Sequence, residues 1–62
     1  MTEQEWKTKF KEQFKKYCFG PHWSDAEKEN IAQQHADVSW PDYRDEDPNE
    51  CADSEAREAM SP

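Results

Sequence analysis

Between Thr2 and Phe19 the chain reads TEQEWKTKFKEQFKKYCF, and every large apolar side chain in it is a ring. Trp6, Phe10, Phe14 and Tyr17 stand at i, i+4, i+8 and i+11. On an α-helix these positions share an arc of about 80°, so the stretch predicts an amphipathic helix with one aromatic face. Lys7, Lys9, Lys11, Lys15 and Lys16 fall outside that arc. The remaining chain has little with which to cover the rings. It contains no Leu, one Ile and one Val, so the eight aromatic residues carry most of its hydrophobic content. A large ring buries about 150–250 Å², and a few rings padded by alanine can replace an aliphatic core.

Three helix starts and one stop organise the chain into a single small domain over residues 1–62. Thr2 and Glu5 have the spacing of a capping box. Glu3–Lys7, Glu5–Lys9 and Glu12–Lys16 are i,i+4 pairs in the favourable orientation. Gly20 followed by Pro21 is a stop signal, which predicts a first helix over 3–19. Ser24 and Glu27 repeat the capping-box spacing, with Trp23 before the cap as a hydrophobic staple. They predict a second helix over 25–36, with Ile31, His35 and Val38 towards the core and Ala32 and Ala36 allowing close approach. Pro41 disfavours a helical Trp40, so residues 38–47 are expected to form a loop, with Trp40 and Tyr43 folded back onto the helices. Asp47 before Pro48 marks the third start. That helix is expected over 48–59, with Cys51, Ala52, Ala56, Ala59 and Met60 on its inner stripe. The expected fold is all-α, with three helices. The first two form an antiparallel hairpin, because their connection is short.

Charge excludes some functions. The net charge is −7, divided as +2 over residues 1–20 and −9 over residues 21–62. Such a chain repels nucleic acid, and its basic first helix attracts the acidic remainder. A charged fraction of 37% with low hydropathy suits disorder, but the rings and caps argue for a fold. No apolar run has the length of a membrane span, and the N-terminus has no signal-peptide pattern. Two cysteines do not make a disulfide framework, so a cytoplasmic protein with reduced thiols is expected.

No residue set forms a catalytic signature, and no cofactor is implied. Cys18, His22, His35 and Cys51 are the soft metal-ligand types, yet only Cys18 and His22 have chelating spacing. Structural zinc sites show two compact pairs, so no metal is expected. The two thiols read as small core residues. The rings point instead to protein contact. Trp6, Phe10, Tyr17, Trp23 and Trp40 are the candidate partner-binding residues, since aromatic side chains dominate binding hot spots. Trp6 is the ring that the rest of the chain is expected to cover least. The stripe would then serve a homodimer or another protein, and Trp6→Ala would weaken association more than stability; the alternative is that all four rings form the core of the monomer, in which case Trp6→Ala unfolds it. An alternative uses the acidic half. Asp42, Asp45, Glu46, Asp47, Glu50, Asp53, Glu55 and Glu58 could imitate a nucleic-acid backbone and occupy the basic site of a nucleic-acid-binding protein.

With its TEQEW opening and its WPDY…DPNECADSEA tail, this small acidic chain resembles the short accessory proteins from the early region of lambdoid phages and prophages. That resemblance implies a small helical regulator that binds host or phage proteins without catalysis. It brings no site residues with it.

Overall fold

In the computed structural model, residues 1–17 and 23–60 are described, the last without its side chain. They form three helices: α1 (Glu3–Lys15), α2 (Asp25–Tyr43) and α3 (Pro48–Met60). The fold is the expected all-α domain. Cross-helix partners run in opposite senses, from Lys7–Asp37 to Lys15–Glu29, so α1 and α2 form an antiparallel hairpin. The pairs Trp6–Glu46 and Gln13–Asp53 run in the same sense, so α3 lies parallel to α1.

The helix starts follow the caps. The Thr2 hydroxyl accepts from the Glu5 amide at 3.1 Å, and that hydroxyl donates to the Glu5 carboxylate. Ser24 and Glu27 form a complete reciprocal capping box. The Asp47 carboxylate accepts from the Asn49 amide at 2.9 Å, while Pro48 takes the first helical position, where its missing N–H costs nothing.

Two boundaries differ from expectation. The first helix ends at Lys15 and not at residue 19, because the amides of Lys16 and Tyr17 turn to the carbonyls of Gln13 and Phe14 in a tighter, three-residue turn. The Gly20–Pro21 stop lies outside the described residues. The second helix runs on to Tyr43, through Pro41, where a loop was expected. A proline inside a helix costs about 3 kcal/mol. Here the carbonyl it leaves free belongs to exposed Asp37, where water can satisfy it. Continuation also keeps Ala32, Ala36, Ser39 and Trp40 in helical register on the inner side. Val38 falls outside that register and is 73% exposed, so it is no part of the core.

Trp6, Phe10, Phe14, Ala32, Ala36, Ala52 and Ala56 make the core. The three rings stack along α1, with centroids 5.3 Å apart for Trp6–Phe10 and 5.9 Å for Phe10–Phe14. The alanines of α2 and α3 close on them from two sides, because a methyl group lets a helix backbone approach a ring. Trp6 is 1% exposed and Phe10 is fully buried. The expectation that Trp6 is left uncovered is therefore corrected. Trp40 sets its ring edge against Trp6 at 5.6 Å, and the indole N–H of Trp6 donates to the Glu46 carbonyl at 3.0 Å.

A domain of this size has a stability of about 3–9 kcal/mol, and a buried ring cut back to alanine costs about 3–5. Both Trp6→Ala and Phe14→Ala should abolish or nearly abolish the cooperative thermal transition. Val38→Ala should stay within about 0.5 kcal/mol of the parent. Circular dichroism melts of the three variants check this; a Trp6→Ala protein that melts like the parent contradicts the packing.

Candidate partner-binding surface

Helix α1 is lined on the α2 side by a row of ion pairs. Lys7 bridges Glu3 and Asp37, each at 2.8 Å. Lys11 reaches Glu29 at 3.0 Å and Gln33 at 2.8 Å, and Lys15 shares the Glu29 carboxylate. On the α3 side the links are hydrogen bonds to Asp53, from the Tyr17 hydroxyl at 2.7 Å and the Gln13 amide at 2.8 Å. The attraction expected between the basic helix and the acidic remainder thus acts inside the molecule. Lys7, Lys11 and Lys15 are all engaged in it.

The sequence-derived partner-binding residues separate by burial. Trp6 and Phe10 lie in the core and offer nothing to a partner in this conformation, which corrects their candidacy. Tyr17 and Trp40 are half-buried against the core. Trp23 is half-buried at the entry to α2. These five residues form no common surface patch. Phe14 is inside, where His35 lies against it with ring centroids 4.8 Å apart.

Tyr43 does not fold back onto the helices as expected. It ends α2 with 46% of its surface exposed. Of the acidic residues, Asp53 serves Tyr17 and Gln13, and Glu55 takes the buried Ser39 hydroxyl at 3.5 Å and faces His35 Nδ1 at 3.5 Å. Asp42, Asp45, Glu46, Asp47 and Glu50 remain exposed on the corner where α2 passes into α3, and Glu58 is exposed near the end of α3. That corner contains a groove of about 330 Å³, walled by Tyr43 and Glu46 on one side and by Glu50, Ser54 and Glu58 of α3 on the other. Cys51 lies within it. Burial, and then the carboxylates of Glu46, Asp47, Glu50 and Glu55, push the Cys51 thiol above its ordinary value. It stays protonated and is a weak nucleophile. Sequence reasoning had the carboxylates of this corner but missed Tyr43 as an exposed residue, because that depends on α2 continuing through Pro41.

Among the described residues no group of three His, Cys, Asp or Glu side chains could hold a metal ion. Cys18 and His22 lie outside them. No described helix is long and apolar enough to cross a membrane. Comparison with known protein families, characterised proteins and solved structures finds no match to this chain.

The polar seams make a pH prediction. Hydrogen bonds from Lys15 and Lys11 hold the Glu29 carboxyl below its ordinary 4.5. Lys7 and Gln33 do the same to Asp37, whose ordinary value is 3.8. Tyr17 and Gln13 do so to Asp53. A depressed carboxylate binds protons less readily in the folded state than in the unfolded one. Its contribution is complete above the ordinary value and is lost as pH falls through the folded value. The melting temperature should therefore decline as pH drops below about 4.5, and Asp53→Asn should reduce that decline. Thermal melts between about pH 7 and pH 2 read it, and a flat profile for the parent contradicts it.

Proposed function

We propose that this protein is a non-enzymatic accessory regulator of the early phage or prophage kind, acting in the cytoplasm by binding a host or phage protein. The observation that carries the reading is the division of the side chains between interior and surface. The stacked rings lie inside, and three lysines of α1 are engaged by α2. The exposed corner from Asp42 to Glu50 keeps a net negative charge, with five carboxylates against the one guanidinium of Arg44, and a half-exposed tyrosine. Such a surface repels nucleic acid and lipid phosphate and suits a protein with a basic patch.

A second reading has the corner imitate a nucleic-acid backbone. The six exposed carboxylates between Asp42 and Glu58 favour it. The two readings differ in what displaces the partner. Immobilised protein should retain a saturable partner from extract at about 0.1 M salt, where the screening length is about 10 Å. Under the first reading, duplex DNA does not compete for the partner, although the contact weakens as salt rises. A partner displaced by duplex DNA supports the imitation. Absence of any saturable partner contradicts both.

A further inference from the structure

We propose that the groove between the end of α2 and the outer face of α3 is a docking surface for a basic segment of a partner protein, with an arginine or lysine side chain seated against the Tyr43 ring. The inference rests on the protein-binding reading above and adds the place and the chemistry.

Carboxylates alone would mark only a solvated face. Three further features coincide here. It is concave, with a volume of about 330 Å³, which is within the range of sites that enclose a side chain or small ligand. One wall is Tyr43, an aromatic residue that is 46% exposed, beside Cys51. A cation over such a ring gains ring attraction as well as charge attraction. Its rim is also fixed in advance. The Glu46 amide donates to the Tyr43 carbonyl at 2.8 Å, and the Glu46 carbonyl accepts from the buried Trp6 indole at 3.0 Å. The turn carrying Tyr43 and Glu46 is thereby tied to the core, and less ordering is needed on binding.

Charge complementarity selects the occupant. The carboxylates of Glu46, Glu50 and Glu58 make no ion pair or hydrogen bond among the described residues. This contrasts with Glu29 and Asp37, which are held by lysines. Burial, and then the carboxylates of Glu46, Asp47, Glu50 and Glu55, raise the thiol of Cys51 within the groove. An acidic or purely apolar partner segment would leave these carboxylates desolvated and unpaired, which is unfavourable. Arginine suits the place best, since its planar guanidinium stacks on a ring while its edge meets a carboxylate.

The test is an NMR titration of the full chain with a capped peptide, Gly-Arg-Gly-Lys-Gly-Arg. The expected result is a set of shifts confined to the groove's lining, Tyr43, Glu46, Glu50, Cys51, Ser54, Glu55 and Glu58. Tyr43→Leu should weaken binding about two- to fivefold while Tyr43→Phe retains it. Glu46→Gln with Glu50→Gln should weaken it by about tenfold at most. The control pair Glu12→Gln with Asp25→Asn removes the same charge elsewhere and should leave binding nearly unchanged. Shifts spread over all acidic residues, equal loss in the control pair, or equal binding by Tyr43→Leu and Tyr43→Phe overturns the proposal. Extract capture separates this inference from the reading beneath it. A partner retained equally by the parent and by the Glu46→Gln, Glu50→Gln variant overturns the docking surface and leaves protein binding standing. Peptide binding at the groove without any captured partner supports the surface and removes the functional reading.

Discussion

Three rings on one face of α1 have to leave water, and almost no aliphatic side chain is present to cover them. Stacking solves part of the problem, because Trp6, Phe10 and Phe14 cover one another along the helix. Trp40 and His35 lie against Trp6 and Phe14, and alanine solves most of the rest. Ala32 and Ala36 on α2, with Ala52 and Ala56 on α3, bring two helix backbones close to the ring faces. Alanine contributes little burial of its own, so nearly all the hydrophobic free energy resides in α1. Helices α2 and α3 are shaped to fit α1.

Weak apolar faces need additional means of orientation. Lysines of α1 meet carboxylates of α2, and Asp53 of α3 collects a tyrosine and a glutamine from α1. Exposed pairs of this kind contribute little to stability, because water and salt screen them. Their value lies in register: a lysine row facing an acidic row fixes which way α2 runs and how far along α1 it sits. The arrangement also sorts charge between inside and outside. Lys7, Lys11 and Lys15 are directed at α2, and the carboxylates beyond the reach of α1 remain on the α2–α3 corner.

How much of this was legible follows from where each signal resides. Helix starts are local, and Thr2, Ser24 and Asp47 marked all three. The aromatic stripe at 6, 10, 14 and 17 fixed the face of α1 that packs. The extent of α2 was not local. Pro41 read as a break, because the preference of the residue before proline is for extended backbone. The cost is met through Trp40, whose helical placement sets its ring against Trp6. A period did continue past residue 36 towards the proline, in Ala32, Ala36 and Ser39, but small residues give a faint signal. The same miss produced the others. With α2 ended at residue 36, nothing covers Trp6, so Trp6 and Phe10 read as interface. With α2 continued, Trp40 and the Glu46 carbonyl close over Trp6, and Tyr43 is carried outward. The carboxylates of the candidate surface could be read directly, since charge is visible in sequence; the ring beside them could not.

The central claim is that the rings of α1 form the interior of a single chain and are not a surface held for a partner. Hydrogen exchange at the Trp6 indole N–H tests it most directly, measured by NMR at a concentration where sedimentation shows a monomer. The account predicts exchange only through opening of the fold, with protection close to the global unfolding free energy. Exchange at the rate of free indole in the folded monomer, or protection that appears only on self-association, would contradict it.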